Sequence, residues 1–177
     1  MKKLFVTLAV LLAMTSMASA QNNAIGARFG FGTAFNPELT TQWFIGDISR
    51  LELDLGLRFK TSAVTDSGIN VDYPGGGTFT GVYQWHWFLA GGFGFYFGPG
   101  LQISFPNWKK LGFGLGGQIG FDYQFDAPFQ VSFDFRPIYN VAGGFKGTNT
   151  DTDKVRFFGG FDPVFAIGLR YTFDSAY

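Results

Sequence analysis

The feature that most constrains the fold of this chain is an alternation of apolar residues with small or charged ones. The alternation is unbroken from Leu51 to Phe59 and from Phe129 to Arg136. Alternate side chains of a β-strand point to the same face, whereas helical spacing would distribute the apolar residues around a cylinder, among the charges. These segments are therefore predicted to be β-strands with one apolar face.

Eight segments carry this pattern, with lengths close to the roughly 9–11 residues that a tilted strand needs to cross a bilayer. Short connections at 47–49, 90–92 and 126–128 largely alternate with longer ones, of which 61–77 and 139–162 are polar. This arrangement is typical of membrane barrels with short turns at one end and long loops at the other. The predicted strands are 24–35, 38–46, 50–60, 78–89, 93–105, 111–124, 129–138 and 163–173.

The volume of the apolar face decides which way it points. A soluble barrel of the lipocalin type would have to enclose roughly forty large side chains, but an eight-stranded lumen is barely wide enough for side chains to fill. The opposite face is mostly glycine with a few polar groups, which suits a crowded interior. The predicted fold is therefore all-β, an eight-stranded antiparallel up-and-down transmembrane β-barrel with its apolar face in lipid.

The start of the chain has the pattern of a secretory signal peptide. Two lysines precede an apolar run, Leu4 to Met14, and Ala18-Ser19-Ala20 forms a small-residue cleavage site. The run is shorter than the about 20 apolar residues of a transmembrane helix, so an uncleaved anchor is the less favoured alternative. We expect residues 1–20 to be removed and residues 21–177 to form one outer-membrane β-barrel domain.

Charge and cysteine content exclude two further classes of protein. The 13 Lys and Arg residues balance the 13 Asp and Glu residues, so there is no basic excess for nucleic acid. The chain has no cysteine, so an exported protein of this sequence must fold without disulfides.

Polar residues on the face opposite the apolar one are predicted to line the lumen. Unpaired ions are costly in a narrow interior, and the four arginines among these residues balance four acids. We therefore expect an ionic network that plugs the lumen, with Arg58 and Arg136 in its upper part and His86 also facing inward. The predicted lower cluster consists of Arg28, Glu52, Asp54, Asp122, Asp134 and Arg170.

Three local motifs suggest other functions, and each has a simpler explanation. Gly112 to Gly117 satisfies G-x-G-x-x-G, but a dinucleotide site needs this motif between a strand and a helix, and here it lies inside a predicted strand. Asn149 to Asp153 has alternating oxygen ligands for Ca²⁺ but lacks the glycine and glutamate of an EF-hand loop. His86, the single histidine, has no serine neighbour on its strand. We expect no cofactor, no metal ion and no catalytic residue.

Over essentially all of residues 21–177, the chain resembles the small eight-stranded outer-membrane barrels of the OmpA and OmpX types. The resemblance rests on the signal peptide, the strand count, the alternation and the last strand, Pro163 to Phe173. In that family the barrel-assembly machinery recognises a terminal strand that ends in an aromatic residue, a feature matched here by Phe173 or Tyr177. The resemblance implies location in a bacterial outer membrane, with membrane lipid and that machinery as partners.

Three functions remain open. The leading hypothesis is a non-enzymatic outer-membrane protein with an envelope-structural role, or with a surface-contact role in which the loops 61–77 and 139–162 meet an unknown ligand. The first alternative is a small porin-like channel for modest solutes. The second is a lipid-modifying outer-membrane enzyme that uses His86.

Overall fold

The computed structural model describes residues 23–64, 70–145, 148–149 and 160–173. The predicted signal peptide, the C-terminal Tyr177 and most of the 149–153 motif lie outside the described residues. Within the described ranges, no helix is long and apolar enough to span a membrane.

Eight antiparallel strands form a closed barrel, in the order β1-β11-β9-β8-β7-β6-β3-β2, with β1 pairing both β11 and β2. The predicted fold class is therefore confirmed. Closure leaves no strand edge unpaired, as a sheet in lipid requires. The strands are β1 (Asn23–Gly32), β2 (Asn36–Gly46), β3 (Ser49–Arg58), β4 (Thr61–Val64), β5 (Asn70–Tyr73), β6 (Gly76–Ala90), β7 (Phe93–Pro106), β8 (Gly112–Gln124), β9 (Phe129–Ala142), β10 (Thr148–Asn149) and β11 (Phe161–Phe173).

The two segments that were predicted to be loops contain more regular structure than expected. β4, β5 and β10 form a separate three-stranded sheet, which joins parts of 61–77 and 139–162. In addition, β9 continues to Ala142 and β11 begins at Phe161. The extension is stabilised at Asn140, whose backbone N donates to the carbonyl O of Gly160 at 2.6 Å. The prediction that 139–162 is entirely loop is therefore wrong.

Apolar side chains cover the outside of the barrel. In β9, Phe133 is 56 % exposed while the next residue, Asp134, is 1 % exposed. In β11, Leu169 is 53 % exposed beside Arg170 at 1 %. Both strands thus turn their apolar face outward and their polar face into the lumen, as the volume argument predicts.

The connections distinguish the two ends of the barrel. The short-turn end carries the β2–β3, β6–β7 and β8–β9 connections, together with Asn23 and Phe173, which pair with each other. Gly91 and Gly92 form the two-residue β6–β7 turn with φ of 57° and 85°, a left-handed conformation that glycine adopts without strain. The opposite end, the loop end, carries the other connections and the three-stranded sheet.

Candidate functional site: the ion-paired lumen

A network of three arginines and four carboxylates fills the middle of the lumen. The seven side chains are each at most 2 % exposed. Ions this deeply buried are tolerated only when they are paired and hydrogen-bonded. We call the set the central network; it consists of Arg28, Arg136, Arg170, Glu38, Glu52, Asp54 and Asp134.

Arg28 on β1 connects two of these carboxylates. Its Nη1 donates to Oε2 of Glu38 at 2.5 Å, and its Nη2 donates to Oδ1 of Asp134, also at 2.5 Å. Glu38 lies on the neighbouring strand β2, whereas Asp134 lies on β9, beyond β11. One guanidinium therefore ties together side chains from three strands.

Arg136 spans the lumen from one wall to the other. It projects from β9, and its Nη2 donates to Oε1 of Glu52 at 2.7 Å and to Asp54, both on β3. β9 and β3 lie on opposite sides of the eight-stranded ring. The side chain of Arg136 thus crosses the space through which a solute would have to pass.

Arg170 completes the central network from β11. Its Nη2 donates to the second carboxylate oxygen of Glu52 at 3.0 Å, and its Nη1 donates to Ser132 Oγ at 2.7 Å. Its Nε contacts Thr40 Oγ1 at 3.3 Å. Glu52 therefore accepts from arginines on two different strands, which fixes both of its oxygens.

A second group lies nearer the short-turn end. Asp122 accepts from Arg50 Nη1 at 2.9 Å, and its Oδ1 lies 3.0 Å from Nε2 of His86. Arg50 is also placed over the ring of Tyr96, with 4.6 Å from its Cζ to the ring centroid, a favourable cation–π geometry. We call Arg50, His86 and Asp122 the short-turn cluster.

Amide side chains join the short-turn cluster to the central network. Arg50 Nε donates to Gln84 Oε1 at 2.5 Å, and Gln84 Nε2 donates to Gln118 Oε1 at 3.1 Å. The same oxygen of Gln118 accepts from Arg136 Nη2 at 3.0 Å. The hydrogen bonds are thus continuous from one group to the other.

Near the loop end, an ion pair lies beneath an aromatic ring. Arg58 on β3 pairs with Asp162 on β11 and also donates to Thr33. The ring of Phe145 lies 4.7 Å from the Arg58 Cζ and is 1 % exposed. Gly143 and Gly144 precede it with φ of 60° and 75°, which lets the chain fold back over the lumen.

Glycines in the wall make room for these side chains. A Cβ added at Gly94 would overlap Asp122 and His86, and one added at Gly120 would lie 2.7 Å from the ring of Tyr96. Gly168 is similarly close to Ser132 and Arg170. A methyl group at any of these three positions would therefore collide with a side chain of the lumen.

All nine predicted lumen residues lie on the inner face and are at most 5 % exposed. Their grouping differs from the prediction in two respects. Arg136 belongs to the central network with Glu52 and Asp54, and Asp122 is paired with Arg50 instead of that set. Arg58 does lie apart, near the loop end.

Three charged lumen residues escaped the sequence analysis. Arg50 lies two residues before Glu52 and four before Asp54 on one strand, so the three side chains share a face. The alternation itself could therefore have identified Arg50 as a lumen residue. Glu38 lies at the start of a predicted strand in which polar residues occupy both faces near Thr40. The sequence therefore does not indicate whether the Glu38 side chain points into the lumen. Asp162 lies in a segment that was predicted to be loop.

The single histidine of the described lumen is fully buried and lies beside a carboxylate. His86 is 0 % exposed and Nε2 is engaged by Asp122, so no substrate reaches its ring. Among the described residues, no group of three metal-ligating side chains could hold an ion. The geometry provides a packed, ion-paired interior.

Comparison with known proteins supports the fold. No protein-family model matches the sequence, and no curated protein matches it either. The N-terminal β-barrel domain of Pseudomonas aeruginosa OprF superimposes with a TM-score of 0.59 at 15 % identity, over 86 % of this chain and 97 % of that one. Neisserial surface protein A superimposes with a TM-score of 0.54 at 14 % identity, over 86 % of this chain and 95 % of that one. The chain therefore has the fold of the small eight-stranded outer-membrane barrels.

Proposed function

We propose that this chain is a non-enzymatic integral protein of a bacterial outer membrane, with a closed lumen and a structural or surface-contact role in the envelope. The observation that carries the proposal is the sidedness of the barrel, whose apolar residues face outward while its ions are paired inside. A surface this apolar requires hydrocarbon as its solvent. In this arrangement the short-turn end faces the periplasm and the loop end faces the exterior.

The closed lumen is supported by charged groups at three levels. The Arg58–Asp162 pair lies near the loop end, the central network lies below it, and the Arg50–Asp122 pair lies nearest the short turns. A permeating solute would have to separate each pair in turn. Separating a buried pair costs several kcal/mol because it leaves an uncompensated charge, about 3–5 kcal/mol when one partner is removed.

The surface-contact role is supported by the sheet at the loop end. Within the part of the chain that the structure describes, β4, β5 and β10 pair only with one another and take no part in closing the barrel. Residues that a scaffold does not need are those most free to contact other molecules. The ligand, if one binds there, is an unknown partner at the exterior.

Export and assembly complete the proposal. The signal-peptide pattern of residues 1–20 delivers the chain across the inner membrane, and membrane lipid is the partner of its outer face. The last strand, β11, ends with Tyr171 and Phe173 on alternate positions. We propose that the barrel-assembly machinery recognises this aromatic end.

Conductance in planar bilayers tests the closed lumen. We expect the full barrel to show no large, steady open level, and we expect Arg136→Ala to raise the ion flux, because Arg136 crosses the lumen. Tyr139→Ala, at an exposed outer position of the same strand, serves as the matched control and should change nothing. A large steady channel in the unaltered protein would overturn the closed-lumen proposal.

One observation favours the alternative of a small channel. Several buried lumen atoms have no hydrogen-bond partner, among them Thr78 Oγ1, Gln102 Oε1 and Ser104 Oγ. Buried polar atoms of native proteins are usually satisfied by protein or by ordered water, so this part of the lumen is where water would enter. Small, brief conductance steps in the unaltered protein would support this alternative, whereas a closed lumen predicts that steps appear only once Arg136 is removed.

A further inference from the structure

We propose that the outer face formed by β3, β6, β7 and β8 binds a lipid with a phosphate headgroup of net negative charge. The headgroup contacts lysines at the loop end, and the acyl chain lies in a groove below them. The inference rests on the proposed function, since it requires this face to lie in a membrane. It assigns the barrel a specific lipid site in addition to general contact with the bilayer.

The groove is an apolar depression of about 790 Å³ in the outer surface. Its floor is low at Gly81 and Pro99, which carry no long side chain. Its walls are large apolar residues on the neighbouring strands, including Phe79, Leu101, Ile103 and Leu115. A groove between such side chains fits a flexible hydrocarbon chain better than it fits any polar molecule.

Strand register explains why the depression occurs there. Gly81 pairs with Leu101 across β6 and β7, and Pro99 pairs with Gly117 across β7 and β8. The lower row of the groove therefore has small residues on two adjacent strands. On the neighbouring part of β8 and on β9, by contrast, the outward positions carry large side chains, as at Phe121 and Phe133.

Three lysines stand above the groove on the same set of strands. Lys60 follows β3, while Lys109 and Lys110 lie in the β7–β8 connection, and all three are exposed. Only β6 separates β3 from β7 in the barrel, so these positions are about 10 Å apart at roughly 4.8 Å per strand. Together they form a basic arc at one side of the loop end.

The charges of this arc are only partly neutralised. Lys60 Nζ lies 3.4 Å from Asp72 Oδ2. The hydrogen bond from Ser62 and, after it, the charge of Lys60 lower the pKa of Asp72, so that the carboxylate is ionised at neutral pH. Lys109 and Lys110 form no ion pair with any described residue, which leaves two ammonium groups available for an anion.

The vertical spacing suits one lipid molecule. Ile103 marks the upper row of the groove, and β7 ends three residues later at Pro106. A strand rises about 3.3 Å per residue, so the lysines lie about 10 Å or more above the groove. A headgroup at the level of the lysines therefore places its acyl chains beside Ile103 and Leu101.

Charge also distinguishes this end from the other. The described connections at the short-turn end carry Asp47 and Asp126 but no lysine or arginine. A phosphate headgroup is attracted to the loop end and repelled from the short-turn end. The site therefore belongs to the leaflet that meets the loop end.

Native mass spectrometry of the full chain in neutral detergent tests the headgroup contact. The probes are phosphatidylglycerol and phosphatidylcholine with identical acyl chains. We expect preferential retention of phosphatidylglycerol, and we expect Lys109→Gln with Lys110→Gln to weaken it about fivefold per lysine, while phosphatidylcholine retention is unchanged. Equal retention of both lipids by the unaltered protein would overturn the proposal.

A groove-filling variant tests the acyl-chain contact. Gly81→Leu adds bulk to the floor, where the only near neighbour of a new Cβ is the flexible side chain of Leu53 at 3.3 Å. We expect lower retention of phosphatidylglycerol without any change of charge. Ala27→Leu is the matched control, because Ala27 pairs with the outward Leu169 on the other side of the barrel. Equal effects of the two variants would contradict a groove site.

Two further measurements, displacement by phosphate and oligomeric state, identify what occupies the groove. If inorganic phosphate alone displaces the bound lipid completely, the lysines bind a free anion and the groove is not part of the site. If the protein is a dimer that Gly81→Leu dissociates, a second copy fills the groove and the lipid proposal is wrong. The change of gel migration on boiling is recorded for every variant. If the unaltered protein shows no change, the membrane barrel itself is contradicted. If it shows the change but has no lipid preference, only the lipid-site inference is contradicted.

Discussion

Arg28 and Asp134 lie 106 positions apart in the chain, yet Nη2 of Arg28 donates to Oδ1 of Asp134 at 2.5 Å. The contact exists because β11 lies between their strands and brings the inner faces of β1 and β9 together. Arg28 also holds Glu38, so its removal leaves two buried carboxylates without this partner. The stability of the barrel should therefore depend strongly on this one arginine.

We predict that Arg28→Met lowers the free energy of unfolding by about 3–5 kcal/mol, the usual cost of breaking a buried ion pair. Urea titration in detergent micelles, followed by gel migration without boiling, measures the change. Lys60→Met is the control, because the Lys60–Asp72 pair is exposed and should contribute under about 1 kcal/mol. Similar losses in the two variants would show that the lumen is hydrated and its charges screened.

A methyl group in the lumen wall should also destabilise the barrel. Gly94→Ala would force its Cβ into Asp122 and His86, and overpacking of this kind costs about 1–3 kcal/mol. Gly46→Ala is the matched control, since nothing lies within 4 Å of a Cβ added there. The thermal unfolding of the two variants is followed by tryptophan fluorescence. If Gly94→Ala is as stable as Gly46→Ala, the lumen has spare volume beside Gly94.

His86 should prove structural. We predict that His86→Ala retains every envelope phenotype of the unaltered protein. Its free energy of unfolding should fall by only about 1–3 kcal/mol, because Asp122 keeps its hydrogen bonds from Arg50 and Gln130. Asp122→Ala should lose more, since Arg50 then has no carboxylate partner among the described residues. Loss of an envelope phenotype in His86→Ala at normal folded yield would revive the enzyme alternative.

The ring of Phe145 should restrict the access of solvent to the Arg58–Asp162 ion pair. In Phe145→Ala, the ring that covers Arg58 is removed, and backbone amides near Arg58 and Asp162 should exchange with solvent faster. Amides near Arg50, at the other end, should not change. Hydrogen exchange followed by mass spectrometry distinguishes the two regions, and uniform protection in both would show that Phe145 does not close the lumen.

Sequence alone predicted the barrel well because its strongest signal is local. The alternation from Leu51 to Phe59 depends only on neighbouring residues, and the predicted strand 50–60 corresponds to β3, Ser49–Arg58. An apolar outer face and a polar inner face impose this pattern on most of the strands, although not on β2 near Thr40. Its strength explains why all eight barrel strands were found within a few residues of their ends.

Pairing between distant strands carries no comparable signal. That Arg136 reaches Glu52 follows from the order in which the strands close the ring and from the length of the guanidinium side chain. Neither quantity can be read from alternation, which indicates only that both residues face inward. The pairing of β10 with β5 was missed for the same reason, because these strands lie far apart in sequence. β4 and β5 form a local hairpin, which was missed because the whole of 61–77 was predicted to be loop.

Spin labels at single cysteines on β9 offer the sharpest test of sidedness, since the native chain has no cysteine to interfere. Labels at Val131 and Phe133 should be accessible to oxygen dissolved in the bilayer and hidden from a water-soluble relaxation agent. A cysteine at Ser132, which is 1 % exposed on the inner face, should resist labelling, because the side chains beside it leave no space for the label. An inverted pattern, or access of the water-soluble agent to Val131 and Phe133, would contradict a barrel whose apolar surface lies in lipid.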